Sequence, residues 1–463
     1  MEDTIAAIAT AYGEGGIGII RISGDKAKNI LNQIFTAAYS VEKNNVQHKL
    51  QDKRLSYGHI VDKEKLEIVD EVLAVYMKAP QTYTREDVVE INCHGSMISL
   101  RKTLDLVINC GARMAEPGEF TKRAFLNGRL DLSQAEAVID LVKARTNKGY
   151  EVSLAQLSGS LSNTVRAIRD ELLEVLAHVI VNLDYPDADI EELSYKSLKE
   201  SLKEIRARID RLVETAETGM IIKEGLKTVI IGKPNVGKSS LMNALLKEAR
   251  AIVTEIPGTT RDTIEEIISL KNIPIRLTDT AGIRETEDSI EKIGIARSKD
   301  SFNGADLVIF VLDASEELSF EDHAIMDYVS DKKAIVLFNK VDLGQKLIKQ
   351  DVLDVMPHAI VINTVITENQ GIEELETAIF ELVYGGKVKQ QDSMMITNLR
   401  HKDLLQKASR CLSDALIMVD KKEALDFVEV DIKRSWELLG EIVGETVSED
   451  IIDQVFSRFC LGK

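Results

Sequence analysis

Between the apolar, β-rich run Leu226-Lys227-Thr228-Val229-Ile230-Ile231 and a helical pattern that starts at Lys238 stands Gly232-Lys233-Pro234-Asn235-Val236-Gly237-Lys238-Ser239. A strand that must turn through glycines straight into a helix leaves few folds open. Backbone amides in such a turn, with those at the new helix's N-terminus, converge on one point and carry partial positive charge, so the turn is built for an anion. Gly232 and Gly237 let the backbone approach a β- and a γ-phosphate, Lys238 adds positive charge, and Ser239 supplies a hydroxyl for Mg²⁺. Asn235, Val236 and Ser240 belong to the same phosphate-contacting run.

Further motifs follow in order. Asp279-Thr280-Ala281-Gly282 comes after the strand-like Pro274 to Thr278, which places a carboxylate at a strand's end, facing the phosphate loop. Asp279 is expected to hold Mg²⁺ through water, and the Gly282 amide to sense the γ-phosphate. Asn339-Lys340-Val341-Asp342 caps a second buried strand, Ala334 to Phe338. A carboxylate at Asp342 accepts both N1–H and the 2-amino group of guanine, whereas adenine offers no such donor pair, so the nucleotide is GTP. Between these, Gly258-Thr259-Thr260-Arg261-Asp262 has the position of a first switch, with Thr260 completing the Mg²⁺ shell; taken alone it is a polar turn. The Ser-Ala pair expected in a base-binding loop is missing from Val361-Ile362-Asn363-Thr364-Val365-Ile366, and that contact stays unassigned.

The remaining chain is long enough for about three domains. Hydrophobic content of 44% and charged content of 29% describe a soluble globular class. No apolar run of membrane-spanning length occurs and Met1-Glu2-Asp3 lacks a basic start, so the cytoplasm is the expected location, with no membrane. The four cysteines show no paired spacing, which suits a reducing compartment and argues against structural zinc. His94 beside Cys93 reads as a packed or loop histidine rather than a metal ligand. A net charge of −18 opposes broad non-specific RNA binding, so a nucleic-acid substrate would need a partner or a local patch.

Periodicity predicts a multidomain chain: an α+β N-terminal domain over 1–118, helices over 119–222, an inserted α/β P-loop domain of Ras-like type over 223–386, and helices again over 387–463. Ser133 with Glu136, and Thr446 with Glu449, read as capping boxes. The C-terminal helices form too small a core alone, so they complete the helical domain begun at Glu119, and the nucleotide-binding segment hangs from it by two adjacent stretches of chain. The end, Cys460-Leu461-Gly462-Lys463, reads as a helix running almost to its stop at Gly462; the thiol beside Arg458 and Lys463 is a candidate reactive group.

An opening Asp3-Thr4-Ile5-Ala6-Ala7-Ile8-Ala9-Thr10 with Gly13-Glu14-Gly15-Gly16-Ile17-Gly18, a joint Pro117-Gly118-Glu119-Phe120-Thr121-Lys122-Arg123-Ala124-Phe125-Leu126-Asn127-Gly128, an inserted GTPase with Gly258 to Asp262, and a terminal Cys-x-Gly-Lys together resemble the MnmE (TrmE) family of tRNA-modification GTPases. The likeness covers essentially the whole chain. It implies a homodimer built through the N-terminal domains, each binding a tetrahydrofolate one-carbon derivative. It also implies a heterotetramer with the flavoprotein MnmG, with which the GTPase installs an aminomethyl or carboxymethylaminomethyl group on C5 of the wobble uridine of certain tRNAs. Ala11-Tyr12 departs from the usual proline-containing pair. Arg21, at the end of an N-terminal strand, is the candidate for the folate's glutamate tail, since a guanidinium suits a carboxylate; the alternative is a surface salt bridge.

Many GTPases orient the attacking water with a glutamine after the second-switch glycine, but here that position is Ile283. The resemblance implies that K⁺ takes an arginine finger's place, held by Asn235 and by the first-switch residues Thr254, Ile256 and Thr259, and that Glu291 positions the water as the G domains of two subunits close. Alone, Glu291 is a solvated helix charge. Glu291 and Cys460 are the candidate catalytic residues. A ribosome-assembly GTPase would share the nucleotide motifs but would carry an RNA-binding module, and a purely regulatory switch would leave Cys460 and the glycine-rich N-terminal strands without a use.

Overall fold

The computed structural model describes residues 3–37, 50–184, 195–248, 265–279, 304–385 and 394–463. The chain divides into two compact units, one of Met1–Ile139, Leu161–Arg166 and Gly440–Lys463, the other of Asp140–Ser160 and Ala167–Leu439.

In the first unit β1 (Ile5–Ile8), β2 (Gly15–Ser23), α1 (Ala27–Ile34), β3 (Phe35–Ala37), β4 (Leu55–Asp62), β5 (Glu67–Met77), β6 (Val88–Gly95), α2 (Met97–Asn109) and β7 (Arg113–Met114) follow one another. They build a sheet in the order β3-β4-β5-β6-β2-β1-β7, antiparallel except where β7 joins β1. Alternation along the strands sends Ile20, Ile22, Ile60, Ala74 and Ile91 into a core shared with Ile30 and Leu31 of α1 and Leu104 of α2. The opposite face carries the cross-strand rows Leu55, Val75, Glu90, Arg21 and Tyr57, Leu73, Asn92, Ile19. Leu55, Tyr57 and Leu73 on that face are exposed.

After the sheet come α3 (Glu119–Leu126) and α4 (Leu132–Lys143). Ser133 is not the cap that its spacing to Glu136 suggests. Asp131 and Gln134 exchange the reciprocal bonds of a capping box, at 2.9 and 3.0 Å, and Ser133 lies buried inside α4 against Ser162. The helical units continue as α5 (Asn147–Leu157), α6 (Ser160–Asp184), α7 (Tyr195–Glu214) and α8 (Ala216–Glu224). In α7 the buried Leu198, Leu202, Ile205, Ile209 and Leu212 recur every three or four residues, a single stripe that packs on a later helix.

The inserted segment runs β8 (Leu226–Ile231), α9 (Lys238–Glu248), β9 (Glu265–Leu270), β10 (Ile273–Asp279), β11 (Leu307–Asp313), α10 (Phe320–Val329), β12 (Ala334–Asn339), α11 (Lys349–Leu353), β13 (Ile360–Thr364) and α12 (Ile372–Tyr384). Its sheet order is β13-β12-β11-β8-β10-β9, parallel throughout except for β9. β12 is buried along its whole length and β11 all but its last residue, as a parallel sheet covered on both faces requires. The chain enters and leaves the insertion side by side: Ile396 N donates to Thr215 Oγ1 at 3.0 Å, and a Cβ on Gly219 would collide with the Ile396 carbonyl.

The last helices are α13 (Leu399–Lys421), which packs on α7, α14 (Leu425–Val443) and α15 (Glu449–Phe456). Ser448, not Thr446, takes the cap position of α15, and its side chain makes no cap hydrogen bond. This helix ends at Phe456, so Gly462 is not its stop. No helix among the described residues is long and apolar enough to cross a membrane.

Candidate functional site

The phosphate loop leaves β8 at Gly232 (φ 144°), turns through Asn235 (φ 64°) and Gly237 (φ 112°), and enters α9. Only glycine suits both ends: a Cβ on Gly232 would strike the Val311 carbonyl, and one on Gly237 the amide nitrogen of Asn339. Lys238 Nζ donates to the carbonyls of Gly232 (2.7 Å) and Lys233 (2.6 Å), which holds its ammonium inside the loop's ring. Val236 is buried and anchors the turn; Asn235, Ser239 and Ser240 are exposed at its mouth.

The residues expected to read the base are assembled at the same sheet edge. Asn339 ends β12 in register with Thr364 at the end of β13. It is 4% exposed; its Nδ2 donates to the Val236 carbonyl at 2.8 Å and its Oδ1 accepts from the Ile366 amide at 3.2 Å. One buried amide therefore joins the phosphate loop to the segment Thr364–Ile366. Lys340 sits in the left-handed region at φ 63° and pairs with Asp313 at the end of β11, 2.6 Å away. Burial pushes the Asp313 carboxyl up, but hydrogen bonds from Lys340 and Ser315 outweigh it and hold the group below its ordinary range. Asp342 lies in an exposed 3₁₀ turn, Val341–Leu343, clear of the sheet edge. The base-side loop without a Ser-Ala pair is the turn from Thr364 to Gln370, closed by Val365 pairing with Gln370.

Asp279 is the last residue of β10, beside Ile230 of β8, so its backbone stands at the edge where the phosphate loop begins. Thr254, Ile256, Thr259, Thr260, Gly282, Ile283 and Glu291 lie outside the described residues.

Sequence reasoning missed two polar clusters. Lys233 Nζ bonds Asp322 Oδ2 at 2.7 Å and Ser319 Oγ at 3.0 Å, joining the phosphate loop to the start of α10. The residues are far apart in sequence and nothing in the local pattern pairs them; the Ser319–Asp322 capping box was the available signal. In the first unit, Asp70 accepts from the His94 ring and amide, at 2.6 and 2.9 Å, and from Ser99. The Asp70 carboxylate raises the His94 pKa, while burial pushes the neighbouring Cys93 thiol up to about 12.

Arg21 is placed inside β2 rather than at its end. Its guanidinium pairs with Glu90 at 2.8 Å, donates to the Gly462 carbonyl at 3.3 Å and lies over Tyr83 and Phe120. The C-terminal tail is docked there: Leu461 packs with Ile5, Ala7, Ala115 and Phe120, and the Cys460 carbonyl accepts from Gly118 N at 3.4 Å. Gly462 has φ 85°, and a Cβ there would meet the Ile8 carbonyl. The Cys460 residue is exposed.

Two family models together match nearly the whole chain. A family model described as the MnmE helical domain matches residues 132–460, and one described as GTP-binding protein TrmE N-terminus matches residues 4–129. Among similar proteins, the tRNA modification GTPase MnmE of Alkaliphilus metalliredigens is 54% identical over 466 residues, with both chains covered completely. Those of Clostridioides difficile and Bacillus subtilis are 53% and 49% identical, again with both chains covered completely.

Proposed function

Because this chain belongs to the MnmE family of tRNA modification GTPases, we propose that the sheet edge carrying Gly232 to Ser240, Asp279 and Asn339 to Asp342 is its GTP-hydrolysing centre. The protein is a GTP hydrolase that depends on K⁺ and works, as a homodimer with the flavoprotein MnmG, to install (carboxymethyl)aminomethyl groups at C5 of the wobble uridine in tRNA. It acts in the cytoplasm and uses Mg²⁺ and a tetrahydrofolate one-carbon derivative besides GTP.

The observation that carries the assignment of the centre is the Asn339 amide, which ties a phosphate cradle to a guanine-reading segment. Loop amides would hold the β- and γ-phosphates, Lys238 would stabilise negative charge at the bridging oxygen, and Asp342 would read N1–H and the 2-amino group of guanine. Ser239 and Asn235 are exposed at the loop's mouth, Asn235 in a left-handed turn, which suits them to hold Mg²⁺ and K⁺ respectively; the sequence motif adds Thr260 for Mg²⁺, and the family resemblance adds Thr254, Ile256 and Thr259 for K⁺. When bound, the cations supply positive charge where the transition state becomes more negative. Ile283 cannot orient water, and the family resemblance assigns that task to Glu291. In the N-terminal unit, Arg21 would meet the folate's carboxylate by exchanging Glu90 for it, next to the tail that bears Cys460. The exposed Leu55, Tyr57 and Leu73 suit the dimer contact that the family resemblance assigns to this domain.

The test is hydrolysis of GTP in K⁺ against Na⁺ at equal ionic strength, alongside mass analysis of tRNA nucleosides from cells with and without the protein. Turnover should rise strongly in K⁺, Asn235→Ala should remove the difference, and Glu291→Ala should slow turnover with little change in nucleotide affinity. Equal rates in the two salts, or unchanged wobble uridine in the deletion, would sink the reading.

A further inference from the structure

The phosphate loop is held on its two flanks by different means. Gly232 directly follows β8 and lies against the Val311 carbonyl of the neighbouring strand β11. Lys233 lies two residues past the end of β8, outside the paired register, yet its carbonyl is one of the two that hold Lys238 Nζ. Its position is set from the other end of its own side chain. Nζ reaches Asp322 Oδ2 at 2.7 Å and Ser319 Oγ at 3.0 Å, and Asp322 is 2% exposed in the first turn of α10. Asp322 already accepts from Ser319 N at 2.9 Å and Ser319 Oγ at 2.7 Å, so the helix cap is complete without the lysine. The lysine is therefore surplus to the cap. What it adds is a buried ion pair between the phosphate loop and the body of the domain, whose geometry is sharp because both partners are largely withdrawn from water. Pro234 follows and restricts the Lys233 backbone to extended conformations, so that fixing its side chain also fixes its carbonyl.

We infer that Lys233, anchored by Asp322 and Ser319, is a positioning residue for GTP hydrolysis, setting the carbonyl against which Lys238 is aimed at the reacting phosphates. This rests on the GTPase reading above. A charge displaced by a fraction of an ångström loses more in the transition state than in the ground state, so the pair should act on turnover rather than on binding. Burial pushes the Asp322 carboxyl up, but hydrogen bonds from Lys233 and Ser319 hold it below its usual range, which keeps the pair ionised at neutral pH.

The experiment compares the full-length wild type with Lys233→Met, Lys233→Arg, Asp322→Asn and the double variant Lys233→Met/Asp322→Asn. GTP turnover in K⁺, affinity for a fluorescent GDP analogue and melting temperature are measured for each. Lys233→Met keeps the aliphatic stem and should lower kcat by about tenfold while GDP affinity changes by less than about threefold. Lys233→Arg should recover most of the rate, and the double variant should be no slower than the worse single variant, because the residues act as one unit. Wild-type turnover in Lys233→Met overturns the inference. So does a rate loss that follows the melting temperature and is not recovered by arginine, which would mark a structural role. An inactive wild type would instead overturn the GTPase reading, and the inference with it.

Discussion

Asn339 Nδ2 donates to the carbonyl of Val236 across 2.8 Å, linking the end of β12 to the phosphate loop 103 residues earlier. The same side chain accepts from the Ile366 amide, so three segments distant in sequence share one buried amide group. Asn339→Ala would leave the Val236 carbonyl and the Ile366 amide without this partner, at a cost of about 1–3 kcal/mol. Affinity for GDP, read by fluorescence titration, should fall by roughly tenfold to a hundredfold. Unchanged affinity would mean that each segment keeps its conformation unaided.

Asp342 stands on an exposed turn, so its carboxylate is available to a base without disturbing the core. Asp342→Asn should weaken GTP binding at least about a hundredfold and shift preference toward xanthosine triphosphate, whose C2 carbonyl accepts where guanine donates. Competition binding of the two nucleotides decides it. A variant that still prefers guanosine would remove Asp342 from the base site.

The tail offers a separation of functions. Gly462→Ala forces a side chain into a backbone at φ 85° and against the Ile8 carbonyl, and should loosen the docking of Leu461. Both Gly462→Ala and Cys460→Ser should lower modified wobble uridine in tRNA from a complemented deletion strain. GTP hydrolysis by the purified variants should stay close to wild type, because the phosphate loop and the base segment lie in the other compact unit. Loss of both activities together would show that the tail matters only for folding.

His94 titrates with a partner. Its ring bonds Asp70, which raises its pKa above the ordinary 6.5. A histidine with a raised folded pKa contributes stability that is fully present below pH 6.5 and is lost as pH rises through the raised value. Histidine-selective NMR, with His94→Gln to assign the signal, should find its midpoint above that of an unperturbed imidazole. Asp70→Asn should return it to the ordinary range; a midpoint indifferent to that substitution would mean the ion pair does not form in solution.

The phosphate loop was legible because its determinants are local: glycines at fixed spacing, a strand before them and a helix after. The strand-end motifs at Asp279 and Asn339 were legible for the same reason, since an apolar run that stops at a polar residue marks where a parallel strand reaches its carboxyl edge. Helix starts were less so. Ser133 and Thr446 matched a capping spacing, yet Asp131 caps α4 and α15 begins at Ser448's side, because several polar residues near a helix start satisfy the same short pattern and packing selects among them. The link from Asn339 to Thr364–Ile366 became visible only once β13 lay beside β12, because it joins the ends of two neighbouring strands rather than residues close in sequence.

By itself, the sequence located the nucleotide-binding segment and its place as an insertion between helices, since both follow from short-range spacing and periodicity. Only the tertiary structure decided that Lys233 answers to Asp322, that Arg21 is engaged by Glu90 and by the Gly462 carbonyl, and that Gly462 lies against Ile8 rather than ending a helix. These are contacts between residues dozens to hundreds of positions apart. Hydrogen bonds and ion pairs act over a few ångströms of space, and the distance between two side chains is set by how the elements carrying them pack, which no local pattern encodes.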